Sequence, residues 1–594
     1  MSTPPKTPKV GKLRPTQVVT QHGPGAVVDL PELSVIVAGL DDWFVRPTDR
    51  ISEPRLEAFI RASLYRPPVA GPGAFGGVPA FVFPEWLVCP HDKCRLLAKR
   101  SEFGWVGPPA GVFRCPRTHL HGNAKNVEAF PARFMVACPK AHLDDFPWAE
   151  WAHSGATKCD GPLKLLDLGR SGSANDLRVE CETCKVGKGL GDAFNAGAVP
   201  ACSARRPWLG PSNYDSVCDK APRVILRGAS NAYFPVVASA LSIPPYSDPI
   251  QMDVAPFLEV IGQADSFEKF AKGVEGGFYD IGDLASKYTL EEIWTAATGE
   301  PEVGELRPEE YSSFLNPPEP AQPPHEFEVR HVPLPDFQEA SRLRLVAAAT
   351  RLREVRALRG FTRIESGFDL GELADVEKLE IKVAPITTAQ KWRPAVELRG
   401  EGVFVALDEG ALTAWEVGDA VRARGLELEQ RFKEYQDERS VAADERQPFP
   451  GMRYVLLHSL AHALIRELCL EAGYSSSALR ERIYSKPGAD GMAGLLIYTA
   501  SSDSEGSLGG LVDQAPPDRF GPILFDALNN ADLCAQDPLC GSGEIGGAGG
   551  INGAACHACL LLAETSCEAG NRFLDRATLV ETMGGHGRSF LRGG

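Results

Sequence analysis

The chain has 594 residues, 43% hydrophobic and 24% charged, with a formal net charge of −16. This is ordinary for folded domains, and the length allows about two to four of them. No run of about 18 apolar residues is present, which excludes a membrane-spanning helix, and the acidic balance excludes a surface that binds nucleic acid throughout, so any DNA affinity must come from local basic patches or from a partner.

Residues 1–16 open as MSTPPKTPKVGKLRP, a basic, proline-rich stretch without the apolar core of a secretory signal. A mobile arm is expected there, in a protein of a reducing compartment. Fifteen cysteines in such a compartment point to metal binding more than to disulfides.

Residues 17–316 form a cysteine-rich region whose prolines and tryptophans suggest short strands and loops stapled by metal. Cys89 and Cys94 bracket PHDK, Cys115 follows, and His119 lies four residues on, a Cys3His set by spacing. Cys159, Cys181, Cys184, Cys202 and Cys218 supply a Cys-x-x-Cys and three further partners. Cys138, at a strand end, reads equally as a core thiol or as a ligand. One zinc is expected in this region, with material for a second, and the spacing leaves the pairings open.

Residues 317–335 are too proline-rich for a helix interior and read as a linker. Region 336–448 opens with DFQEASRLRLVAAATRLREVRAL, which predicts a helix ended by Gly360. On that helix Arg342, Arg353 and Arg356 share one face and could track phosphates, whereas Arg344 and Arg351 lie nearly opposite. A helix that bridges to acidic neighbours or to a partner protein fits as well. GVFVAL, Gly402–Leu407, is a strand candidate, and a charged helix is expected from Val417 to Arg439.

Region 449–594 begins with a helix, YVLLHSLAHALIRELCL, that is apolar nearly all round and so predicted to be buried. His458 and His462 lie one turn apart on it, but Ser459 stands where the catalytic Glu of H-E-x-x-H would be. Histidines hydrogen-bonded in a core are the bland reading, and Cys469 reads as plain core. The sharper reading is a hydrolytic metal site completed by Asp503 or Glu505. A strand, GLLIYTA, leads to SSDSEGSLGGL, where capping and turn chemistry account for the composition. Cys534, Cys540, Cys556, Cys559 and Cys567 then offer five thiolates for a four-coordinate structural zinc. Cys540, Cys556, Cys559 and Cys567 are the expected ligands, with Cys534 spare. The Gly541–Gly553 loop can fold back between the pairs. The chain contains no G-x-x-x-x-G-K-[ST], no G-x-S-x-G and no Rossmann fingerprint, so it is not expected to hydrolyse ATP.

The pieces RPTQVVTQHGPGAVVDLPELSVIVAGLDDW, PARFMVACPKAHLDDFPWAEW, RRPWLG, RVILRGASNAYFP and RLREVRALRGFTRI resemble the DrmB family of the DISARM anti-phage defence system over nearly the full length. Ala141 departs from the Gly that precedes this histidine in relatives. The segment from Tyr454 to Leu574 is similar to the zinc-binding module that follows the motor in MrfA-type DNA-repair helicases. The resemblance implies a non-enzymatic bacterial protein of the cytoplasm. It would partner the helicase DrmA, and the pair would bind DNA, single-stranded or tailed.

The expected architecture is α+β and multidomain, with a β-rich, zinc-stapled N-terminal region, a central helical region and a C-terminal α/β zinc-binding module. Candidate DNA contacts are Arg227 and Asn231 in LRGASN, with Arg342, Arg353 and Arg356. Trp148, Trp151, Trp208, Tyr233 and Phe234 could stack on bases but read more readily as core. Two competing readings are a metal-dependent nuclease or hydrolase built on His458, His462 and nearby acids, and a scaffold that never touches DNA.

Overall fold

The computed structural model describes residues 11–592 except 32, 70–75, 108–110, 125, 170–172, 300–304, 320–325, 365–382, 439–445, 500–509, 544–549 and 585. Within them the fold is α+β, with a β-rich N-terminal part and a C-terminal part in which helices cover a sheet.

The N-terminal cysteine region is built from very short strands. One eight-stranded sheet runs through Gly187–Gly189, Leu177–Cys181, Leu163–Asp167, Leu96–Lys99, Trp86–Val88, Glu128–Pro131, Val112–Arg114 and Gly104–Val106. Leu143–Asp145, Phe134–Ala137 and Arg223–Leu226 form a separate three-stranded sheet. Strands of this length bury little apolar surface each, so the sheets need a second source of stability. Trp148, Trp151 and Trp208 are all core residues, which removes them as base-stacking platforms.

A second eight-stranded sheet organises the rest of the molecule. Its main path is Phe234–Leu241, Leu343–Thr362, Trp392–Leu407, Met492–Thr499 and Leu479–Lys486, all antiparallel neighbours. Glu328–Val332 also pairs with Leu343–Thr362, and Ser63–Tyr65 pairs in parallel with the start of Trp392–Leu407. The sheet therefore takes strands from the cysteine-rich, central and C-terminal parts of the sequence.

The segment expected as an arginine-bearing helix is the 20-residue strand Leu343–Thr362. Alanine, leucine and arginine are good helix formers, so local propensity favoured the helix. The tertiary setting overrides it, because this strand has partners on both edges and is buried over most of its length on both faces. Strands buried on both faces read as near-continuous apolar runs without alternation. GVFVAL forms the end of the Trp392–Leu407 strand, and the charged helix runs over Asp419–Glu438.

The helix Met452–Ala472 forms as expected, buried along most of its length, and ends where Gly473 takes a left-handed φ of 73°. It packs on the strands Leu479–Lys486 and Met492–Thr499 and against the helix Pro517–Asp532. Of SSDSEGSLGGL only Gly510 and Leu511 are described, so Asp503 and Glu505 lie outside the described residues.

Candidate metal centres

Around a tetrahedral zinc with Zn–S bonds of about 2.3 Å, ligand sulfurs stand about 3.8 Å apart and sulfur and imidazole nitrogen about 3.5 Å apart. A disulfide would hold its sulfurs at about 2.05 Å. All fifteen cysteines are free thiols, and fourteen of them fall into five groups of four whose donor atoms lie within 4.8 Å of one another.

The first N-terminal cluster is Cys89, Cys94, Cys115 and His121, all buried. Cys89 Sγ lies 3.4 Å from His121 Nε2, and Cys94 Sγ 3.8 Å from Cys115 Sγ. The structure brings the three expected cysteines together, with His121 in place of the expected His119 beside them. His119 sits exposed on the 3-10 turn Thr118–Leu120, and that turn delivers His121 to the sulfurs instead. Counting Cys-to-His spacing in a loop cannot tell apart two histidines separated by one residue.

The second cluster joins Cys138, His142, Cys202 and Cys218. Cys138 Sγ is 3.3 Å from His142 Nδ1 and 3.8 Å from Cys218 Sγ, and Cys202 Sγ is 3.6 Å from the same Nδ1. On the far side of the ring, His142 Nε2 donates to Asp215 Oδ2 at 2.7 Å. That bond leaves the Nδ1 lone pair facing the sulfurs, the carboxylate–histidine arrangement found at metal sites. Cys202 is pulled down to about 4 by hydrogen bonding from the Cys138 thiol against the effect of burial, while the Cys138 thiol is driven up. Thiols crowded in this way divide the available charge unequally, and a divalent cation lets all of them ionise together.

In the third cluster, His153 joins Cys159, Cys181 and Cys184. Cys159 Sγ lies 3.7 Å from Cys181 Sγ and 3.2 Å from Cys184 Sγ. His153 Nδ1 donates to the Ala149 carbonyl at 2.8 Å, which leaves Nε2 as the ring's lone-pair nitrogen. Cys184 is exposed, unlike the cysteines of the first cluster.

At the C-terminus Cys534, Cys540, Cys556 and Cys559 converge, with Cys534 Sγ 3.4 Å from Cys556 Sγ and Cys540 Sγ 3.6 Å from Cys559 Sγ. Each half is a compact turn. In CAQDPLC the Asp537 carboxylate accepts from the backbone N–H of Cys534 and of Gly541, which closes the turn and sets both sulfurs on one side. Gly553 packs so closely on Asp575 that a Cβ would stand 2.1 Å from its Oδ2. Cys559 is lowered to about 5, first by hydrogen bonding from Cys540. Cys534, expected as the spare thiol, is thus a member of the cluster. Cys567, expected as a ligand here, is carried eight residues past Cys559 to the sheet side, where it meets His458, His462 and Glu481. Cys469 stands outside all five groups and packs against the main core.

The basic residues named as DNA contacts have mostly structural partners. Arg353 is 1% exposed and pairs with Glu53 and Glu397, and Arg356 pairs with buried Glu354. Both were placed on a helix surface and both lie on a strand of the sheet, where Arg353 is shut off from solvent and Arg356 is only partly exposed beside Glu354. Arg227 is half-buried with Nε 3.1 Å from Asp29, and the Asn231 carbonyl accepts from Ile364 N. Arg342 is exposed beside Phe590. Arg227, Asn231 and Arg342 thus keep some access to solvent.

Residues 14–234 match a family described as a domain of unknown function (DUF8724), a range that contains the three N-terminal clusters. Residues 460–560 match the MrfA Zn-binding domain, a range that takes in the four C-terminal cluster cysteines and ends before Cys567. Over 587 residues, 94% of this chain and 99% of the relative, the sequence is 32% identical to the DISARM protein DrmB of Bacillus paralicheniformis.

Proposed function

The chain belongs to the DrmB family of DISARM proteins, and from that premise we propose that it is a non-catalytic, zinc-stabilised partner of a DrmA-type helicase. The pair would form a DNA-binding complex in the cytoplasm that acts in bacterial defence against phage. The observation that carries this reading is the full-length similarity, together with four clusters that each present four protein donors to one point. A zinc with four protein ligands has no open position for substrate and acts as a staple. The sequence carries no phosphate-binding loop, so motor chemistry falls to the partner.

The net charge of −16 means that this chain alone should bind DNA weakly. Contacts would come from accessible groups such as Arg342, Arg227 and Asn231, set beside a basic groove on the helicase. The hydrolase alternative gains nothing from the histidines, since both side chains are wholly buried.

The test is an electrophoretic mobility shift with single-stranded and tailed DNA at one salt concentration. This chain, the helicase and the mixture are run side by side. The pair should bind at least about tenfold more tightly than either alone, about 1.4 kcal/mol. Binding no tighter than that of the helicase alone would favour a pure scaffold, and divalent-metal-dependent cleavage by this chain alone would overturn the non-catalytic reading.

A further inference from the structure

We propose that His458, His462, Glu481 and Cys567 hold a fifth metal ion, a closed structural zinc site separate from the four cysteine-rich clusters. The ligands come from three places. The two histidines lie one turn apart on the helix Met452–Ala472, Glu481 projects from the strand Leu479–Lys486, and Cys567 sits in the segment after the C-terminal cluster. All four residues are buried, and the histidine and glutamate side chains have 0% exposure.

The donor atoms are set at metal-ligand spacing. His458 Nε2 is 3.0 Å from Glu481 Oε1 and 3.1 Å from Cys567 Sγ, and His462 Nε2 is 3.4 Å from Glu481 Oε1. Tetrahedral zinc with N, O and S ligands has edges of about 3.3–3.6 Å, so the His462–Glu481 pair stands at that spacing and the two His458 pairs stand slightly inside it. The proton positions argue further. His462 Nδ1 lies 2.8 Å from the Leu560 carbonyl, which can only accept, so Nδ1 carries the hydrogen and Nε2 of the neutral ring is a lone pair. That lone pair faces a carboxylate oxygen. Neither His462 Nε2 nor Glu481 Oε2 has a hydrogen-bond partner, although both are buried. A lone pair turned toward Glu481 Oε1, with the other carboxylate oxygen left without a donor, is unfavourable in a dry interior unless a cation lies among these atoms.

Cys567 also resembles the ligand cysteines elsewhere in the chain. Its sulfur accepts the backbone N–H of Ala569, two residues on, and that of Asn571. Cys159, Cys202 and Cys534 each accept the N–H two residues on in the same way. A carboxylate and a thiolate supply two negative charges, and with two neutral imidazoles they balance a divalent ion, so the filled site is neutral in a medium that penalises net charge. Nitrogen and sulfur donors disfavour magnesium and calcium, and a tetrahedral mixed set suits zinc. Four protein donors leave no position for a substrate water, so the site would clamp the C-terminal cluster onto the sheet and would not hydrolyse a bond.

The test is zinc stoichiometry by inductively coupled plasma mass spectrometry on the full-length protein. His462→Ala should lose one zinc per chain relative to wild type, Cys559→Ser should lose a different one, and the double variant should lose two. A folded His462→Ala variant with undiminished zinc content would overturn the site. If that variant does not fold, anomalous diffraction at the zinc edge from wild-type crystals decides. A peak within bonding distance of His462 Nε2 and Cys567 Sγ supports the site, and peaks at the four other clusters with none here overturn it.

Discussion

Glu53 has a fully buried carboxylate that accepts from the Ser242 hydroxyl and lies 3.4 Å from Arg353 Nη1. Burial lifts its carboxyl from 4.5 to about 7, opposed by Arg353, by the Ser242 hydroxyl and by Arg55, with Glu310 adding to the rise. Below pH 4.5 this group is protonated in both states. Between 4.5 and about 7 the unfolded chain has released the proton that the folded chain keeps, so stability falls as pH rises through that window. The loss is on the order of 3 kcal/mol. Glu53→Gln mimics the protonated form and should remove that part of the slope. Thermal midpoints of both proteins at several pH values between 5 and 7.5 check this, since zinc loss at low pH acts on both alike. An unchanged difference between them across the range would contradict it. Arg353, on the other side of this pair, looked like a surface cation because residue type and helical phase were all that could be weighed. Its partners Glu53 and Glu397 lie 300 and 44 residues away, and separations of that kind cannot be read along a chain.

At the scale of elements, the clusters differ in how well they are enclosed. Cys184 is exposed, and His153 and Cys159 are only half-buried, whereas all four residues of the C-terminal cysteine cluster are buried. The Cys159 thiol is lowered to about 7, first by the hydrogen bond from Cys184, and unlike Cys559 it is reachable from solvent. The His153 cluster should therefore give up its zinc first to a chromophoric chelator. The fast phase of release should be absent from Cys184→Ser, and an unaltered time course in that variant would show that another cluster opens first. These elements also show what sequence can convey. The knuckle Cys556–Cys559 and the helix Met452–Ala472 were legible because spacing and periodicity are local. His142 was missed, although Cys138 lies only four residues before it, because a Cys-x3-His step resembles any strand-end turn until Cys202 and Cys218 are folded against it. The exchange of Cys534 for Cys567 has the same origin. Five thiols in a row of turns fix the number of ligands but not which of them the sheet claims. Leu343–Thr362 failed in the opposite direction, since its local signal was clear and its burial on both faces overrode it.

For the whole molecule, the long sheet decides what can stand alone. The C-terminal cluster lies within residues 449–594, yet the strand Met492–Thr499 takes one of its two partners from outside that range, with Gly402 opposite Tyr498 and Ala406 opposite Gly494. The largest core likewise mixes Leu343, Val346, Val403 and Val405 with Val455, Leu457 and Leu495. Cutting at residue 448 would bare one edge of a fully buried strand, together with the apolar surface that these residues cover. Zinc can fasten the knuckles of such a fragment but cannot replace the missing strand. A fragment of residues 449–594 should therefore aggregate, or lack a dispersed amide spectrum, even when zinc is supplied. A soluble monomer with dispersed amide resonances would show that the module carries its own fold. Otherwise its zinc is a staple within a larger sheet, and the surface offered to a helicase is set jointly by strands from distant parts of the chain.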